Sequence, residues 1–231
     1  MTTNAPVAIV TGATGGMGRE IVRDLAADHH VIAVGRNTER LAELAESTGA
    51  DTWAADIAEP EALAERIAAL DRVDVLAHVA AIAHPLAVAE ATREEWDAHF
   101  AINVTAPALL TRAALPALRR SSGTVVFIGS GASTRPVPGS AVYAASKHAL
   151  KGLADTLRID EEPHRVRVAT VSPGQTDTEM LRAMVPEASY TPDRYVRPDS
   201  VAAAVRFVID APADVHITDL PVRPRQEIAR L

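Results

Sequence analysis

Tyr143 and Lys147 stand four residues apart in a segment that reads as a helix, which sets both on one face. A free tyrosine titrates near ~10 and is a poor acid/base group at neutral pH. An ammonium one helical turn away favours the phenolate and lowers that value, so the pair suits proton transfer close to neutrality. Ser130 lies thirteen residues before Tyr143, just past an apolar run that reads as a strand. A hydroxyl at that point can hydrogen-bond a carbonyl oxygen, and the carboxyl ends of strands are where α/β sheets bind ligands. Taken singly, each feature is ordinary. Tyr and Lys at this spacing are common surface neighbours, and serine is common in strand-end turns. The order strand, Ser130, Tyr143, Lys147 is what marks an acid–base site.

A second group could hold phosphate. Val10-Thr11-Gly12-Ala13-Thr14-Gly15-Gly16-Met17-Gly18 joins an apolar run to a helical stretch. Glycines there permit a tight turn and close backbone approach to a pyrophosphate, and the helix N-terminus adds free N–H groups and a positive dipole. A plain tight turn is the alternative. The next strand ends in Gly35 and Arg36, where NAD-binding folds usually carry Asp or Glu for the ribose 2′-hydroxyl. A guanidinium suits a 2′-phosphate instead, which favours NADP over NAD unless Arg36 is only a solvated charge. Asp56, after the third strand, is a candidate acceptor for the adenine amino group or a cap for the following helix.

The elements that must position these groups alternate. Strands are expected at about 7–10, 31–34, 52–55, 73–78, 124–129, 166–171 and 216–220. Helices are expected near 18–27, 38–47, 59–70, 94–120, 143–157 and 199–209, with Pro107 and Pro116 as kinks or boundaries of the long one. Alternation implies βαβ units with right-handed crossovers. The fold class is therefore α/β, a Rossmann-like doubly wound parallel sheet of about seven strands with helices on both faces, in a single domain over 1–231. The stretch 176–198 lacks a period and reads as a lid over the substrate.

Composition narrows the function classes. Hydrophobic residues make up 48% of the 231 but aromatics only 3%, so the core must be built from Ala, Val, Leu and Ile. A net charge of −7 disfavours nucleic acid and anionic membranes as partners. No apolar run reads as long enough to cross a bilayer, and the polar start at residues 1–6 has no signal-peptide pattern. Cysteine is absent, which excludes disulfides, thiolate metal sites and a cysteine nucleophile and fits a reducing cytoplasm. His29, His30, His148 and His164 form no metal-like cluster, so no metal is expected.

Along nearly its whole length the chain resembles the short-chain dehydrogenase/reductase family. Thr11-Gly12-x-x-x-Gly16-x-Gly18 matches that family's cofactor motif, and Tyr143-Ala144-Ala145-Ser146-Lys147 its active-site motif. Ser130, and Asn103 within Ile102-Asn103-Val104, match its other catalytic positions. Pro173-Gly174-Gln175-Thr176-Asp177-Thr178 matches its nicotinamide-contacting segment, and Gly35-Arg36 resembles its NADP-preferring members. One region departs: His78-Val79-Ala80-Ala81 stands where the family usually has Asn-Asn-Ala-Gly. Val79 cannot make the hydrogen bond of the second Asn, so the sheet must be held differently, and Ala81 could narrow the space beside the cofactor.

The resemblance implies an NADP(H)-dependent oxidoreductase that moves hydride between nicotinamide and a carbonyl or secondary alcohol. Ser130 and Tyr143 would bind the carbonyl oxygen, Lys147 would hold the ribose and lower the Tyr143 pKa, and Asn103 would break its helix and position a water. The implied cofactor contacts are Gly12, Thr14, Gly15, Gly16, Met17, Gly18, Arg36, Asp56, Ile57, Ala80, Tyr143, Lys147, Pro173, Gly174, Thr176 and Thr178. Met180, Leu181, Met184, Val185, Tyr190 and Tyr195 suggest a mainly apolar substrate or a lid packed on the core; His84, Pro85 and Leu86 could line the same pocket, and Arg135 could anchor an acidic group. Family members commonly pair through the long helix and the Tyr143 helix, so a homodimer or homotetramer is expected. Two other readings stand beside this one: an NAD-dependent alcohol or hydroxysteroid dehydrogenase, and a non-catalytic NADP-binding regulator.

Overall fold

Side chains alternate across a strand, and here both faces are apolar. Ala8 and Val10 join one buried cluster while Ile9, between them, joins another on the opposite face. Strands buried on both sides need helices on both sides, and the chain supplies them. In the computed structural model, which describes residues 5–226, the order is β1 (Val7–Thr11), α1 (Gly16–Leu25), β2 (His30–Gly35), α2 (Thr38–Thr48), β3 (Asp51–Ala54), α3 (Glu61–Ala68), β4 (Val75–His78), α4 (Arg93–Phe100), α5 (Ala106–Ser121), β5 (Thr124–Ile128), α6 (Ala141–Asp160), β6 (Arg167–Pro173), α7 (Glu179–Arg182), α8 (Pro198–Ile209) and β7 (Asp219–Val222). The expectations that concern residues 1–4, and the part of the 1–231 domain beyond 226, lie outside the described residues.

The seven strands form one sheet in the order β3-β2-β1-β4-β5-β6-β7, every pair parallel. The chain reverses direction of travel between β1 and β4, which opens a crevice beyond their carboxyl ends, the ligand-binding position of such sheets. On one face Ile21, Val22, Val205 and Val208 of α1 and α8 pack on Val10, Val126 and Val171. On the other Leu63, Leu110, Leu118 and Leu150 of α3, α5 and α6 pack on Ile9, Leu76 and Phe127. Each such fully buried aliphatic or phenyl group contributes roughly 1.5–3 kcal/mol.

Three expectations change. The long helix is continuous from Arg93 to Ser121, and by length and composition it could cross a membrane, contrary to the reading of the apolar runs. Its apolar face instead buries Ala106, Leu110, Ala114 and Leu118 against the sheet. Pro107 does sit in the first turn of α5, but Pro116 lies inside the helix without ending it, between the buried Ala114 and Ala117. The last strand begins at Asp219 and not at His216, whose imidazole bonds the backbone of Val168 at 2.9 Å.

Two side chains hold the chain at 78–81. The Thr11 hydroxyl accepts from the N–H of Val79 at 3.2 Å and lies 3.4 Å from the Ala77 carbonyl, tying β1 to the end of β4. His78 is buried, stacks on Phe127 with ring centres 5.0 Å apart, and bonds Thr111 of α5 through Nε2 at 2.8 Å. Burial without an anionic partner pushes its pKa down to about 3, so the ring is neutral.

Candidate active site

The glycine turn forms first. Gly12 has φ +67°, and a Cβ there would meet the Ala80 backbone at 2.7 Å. A Cβ on Gly18 would lie 2.1 Å from the Gly12 carbonyl oxygen, so α1 can approach the turn only without a side chain at 18. The N-terminus of α1 thus opens on a cleft of about 340 Å³. Gly12, Thr14, Gly15, Gly16, Met17 and Gly18 line one wall. Arg36, Asp56 and Ile57 line the outer end, Ala80 the floor, and Thr178 the lid side. A narrow cradle of main chain at a helix N-terminus fits the pyrophosphate of a dinucleotide.

Arg36 and Asp56 approach each other at 3.5 Å, both largely exposed, and Asp56 also accepts from the Ala58 N–H at 3.0 Å. Asp56 thus lines the cleft and braces the turn at Ala58, but it does not cap the following helix α3, whose N-cap position is Pro60 without a side-chain bond. Val79, Ala81, Ile82, Ile102, Glu179 and Met180 line the cleft as well and were not among the expected contacts. Ile102 had a signal, its place beside Asn103. Met180 was expected on the substrate side and lies along the cofactor cleft instead.

Tyr143 and Lys147 share the inner face of α6. Lys147 is buried and its ammonium donates to the carbonyl of Ile128, the last residue of β5, at 2.9 Å. Burial pushes its pKa down to about 8. Tyr143 keeps part of its ring accessible, but protein crowds the phenol. Burial pushes its pKa up, and the Ser130 side chain partly opposes this. The Lys147 nitrogen lies 5.9 Å from the Tyr143 ring centre and adds no resolved pull. Desolvation, not the lysine, therefore sets the direction of the tyrosine's shift, against the expected lowering. A protonated phenol results, which is the form that donates.

Asn103 interrupts the regular winding of its helix without ending it, through a π-helical turn at Ala101–Thr105 between α4 and α5. Its buried carboxamide accepts from the Ile82 N–H at 2.9 Å and donates to the Ile82 carbonyl and to Ser146 Oγ, each at 3.0 Å. Ser146 in turn donates to the Tyr143 carbonyl at 2.8 Å. Asn103 therefore sets the cleft floor and the first turns of α6 together.

Pro173, Gly174 and Thr176 do not line the cleft wall formed by the glycine turn. They follow β6, where the Gly174 N–H donates to Val222 at 2.7 Å and the Thr176 hydroxyl to Gly174 at 3.0 Å. The segment 176–198 is ordered by α7 and two short 3-10 turns. Tyr190 donates to Asp177 and packs at a tilt against Tyr195, with ring centres 4.8 Å apart, so these tyrosines hold the lid together. Arg135 is exposed. His84, Glu95 and His99 gather three metal-ligating side chains that the sequence reading passed over. Both His99 nitrogens are already engaged, Nδ1 donating to the Glu95 carbonyl at 2.8 Å and Nε2 accepting from the His84 N–H at 3.2 Å. The cluster is a hydrogen-bonded clasp in this form.

A parallel sheet with a glycine cradle at its switch point and a Ser–Tyr–Lys group at the ends of its strands defines a nucleotide-dependent oxidoreductase class. The family described as short chain dehydrogenase matches residues 6–189, and the chain belongs to it. A solved short-chain dehydrogenase/reductase from Corynebacterium glutamicum is 44% identical, with 95% of this chain and 100% of that one covered and a TM-score of 0.74. The NADP-dependent 3-hydroxy acid dehydrogenase of Escherichia coli K12 is 32% identical over 234 residues, covering 94% of each chain. The closed form of a serine dehydrogenase complexed with NADP+ is 31% identical, covers 94% of each chain and has a TM-score of 0.87. The protein is accordingly an oxidoreductase of a family that uses a nicotinamide cofactor and acts on small molecules.

Proposed function

We propose that this chain is an NADPH-dependent carbonyl reductase, in reverse an alcohol dehydrogenase, for a small substrate with a mainly apolar body. The observation that carries the reading is the placement of Tyr143 and Lys147 one turn apart on α6, with the Lys147 ammonium on the carbonyl of Ile128, two residues before Ser130. The NADP preference is supported by Arg36 at the cleft rim, and by two relatives whose names carry NADP.

A nicotinamide held in the cleft would supply hydride to the carbonyl carbon. Ser130 and Tyr143 donate hydrogen bonds to the carbonyl oxygen, and Tyr143 passes its proton to that oxygen as negative charge develops. Lys147, with its ammonium at the end of β5, stabilises the phenolate left behind and would hold the nicotinamide ribose. The glycine turn and the N-terminus of α1 would hold the pyrophosphate, Arg36 the 2′-phosphate, and Pro173 to Thr178 the nicotinamide. Asn103 is a positioning residue that acts through Ser146. The lid at 176–198 would exclude water. We read the chain as a homodimer or homotetramer paired through α5 and α6; Arg158 of α6 carries a buried Nε without a partner among the described residues.

The test is a screen of ketones, quinones and aldehydes with NADPH and NADH, followed by absorbance of the reduced nicotinamide. Turnover with a clear NADPH preference is expected. An NADH preference would favour the NAD-dependent reading, and binding of NADPH without turnover of any carbonyl would favour the regulator.

A further inference from the structure

Residues 222–226 leave β7 at the same end of the sheet as Ser130 and Gly174, and they run across both. The Arg223 guanidinium lies against Gly131, the residue after Ser130: a Cβ on Gly131 would stand 2.6 Å from its Nη1 and 3.4 Å from its Cζ. Pro224 packs in the same way on Gly174, 2.8 Å from where a Cβ would be. Between this tail and the lid is a groove of about 500 Å³, lined by Arg194, Arg197, Arg223 and Arg225 and bearing, among the described residues, one carboxylate, Asp193. Arg197 pairs with Asp199 at 3.1 Å. Arg194, Arg223 and Arg225 make no ion pair among the described residues. Three guanidinium groups without an ion pair among the described residues share one groove and repel each other, and this in a chain of net charge −7. Such a groove focuses a positive field and recognises a planar anion by paired N–H donors.

We propose that this groove binds a carboxylate of the substrate, at the end remote from the carbonyl, with Arg223 as its principal partner. The proposal rests on the carbonyl-reductase reading above. It assigns to Arg223 the anchoring role that the sequence had suggested for Arg135. The substrate is then an oxo acid whose apolar spacer runs from Ser130 to the groove.

Two measurements test it. Oxo acids of increasing chain length are compared with their methyl esters in wild type and Arg223→Gln. Wild type is expected to favour the acid in kcat/KM by about tenfold or more at the best length, and the variant to lose that ratio through the KM of the acid. An acid/ester ratio that is flat in wild type, or unmoved by the substitution, overturns the proposal while leaving carbonyl reduction intact. Separately, pentanoate and pentanamide are titrated into the protein with NADP+ by calorimetry. Binding of pentanoate about tenfold tighter than the amide, lost in Arg223→Gln, supports the groove even if no carbonyl turns over. Equal binding of the two, or none, overturns it.

Discussion

Lys147 of α6 donates its ammonium to the carbonyl of Ile128 at 2.9 Å, so the lysine clamps the end of the strand that leads into Ser130. The bond offsets part of the cost of burying a charge. The remainder shows in its pKa of about 8, well below 10.5. Between those two values the unfolded chain holds a proton that the folded chain has released, so stability rises with pH across that window. Below about 8 both states are protonated and the burial cost is fully present. Relative to Lys147→Met, the cofactor-free wild type is expected to gain about 3 kcal/mol as pH rises from about 8 to 10.5, read by urea unfolding at each pH. A stability difference that stays flat would mean an ordinary, solvated ammonium.

Arg36 has only a 3.5 Å approach to the exposed Asp56, so its guanidinium is available at the cleft rim. Arg36→Ala is expected to weaken NADPH binding by about tenfold or more, the loss of a charge-assisted contact, and NADH by less than about twofold. Fluorescence titration of each nucleotide checks this. Equal weakening of both would remove the basis for the NADP preference.

His78 is neutral and buried between Phe127 and Thr111, with a pKa of about 3. Its folded value lies below the ordinary 6.5, so the unfolded chain takes up a proton first as pH falls, and stability is lost between about 6.5 and 3. His78→Asn keeps a polar partner for Thr111 and removes the titration. The variant's acid unfolding is expected to begin at lower pH, with the wild-type disadvantage growing to a few kcal/mol near the bottom of that range. Identical acid limbs would show that His78 does not titrate there.

Legibility in the sequence followed the range of the interaction. The Tyr143–Lys147 pair, the glycine turn and the alternating elements depend on residues close in the chain, and the structure brings them where spacing put them. Ser130 against Tyr143 was legible only through the order of elements. What escaped depends on register between distant strands or on desolvation. Arg223 meets Gly131 only because β7 follows β6 and β5 in the sheet. Thr11 ties β1 to the end of β4 through a bond that spans 68 residues. The raised Tyr143 pKa reverses the expectation from its lysine neighbour because local spacing carries no information about burial.

The most direct test of the central claim, that Tyr143 delivers the proton, is single-turnover reduction by Tyr143→Phe with saturating NADPH and a substrate found in the carbonyl screen. The substitution removes one hydroxyl and keeps the ring. The account expects hydride transfer to slow by roughly 10²–10⁴-fold, with the NADPH dissociation constant changed by less than about threefold. Hydride transfer at near the wild-type rate in a folded, NADPH-binding Tyr143→Phe protein would contradict it.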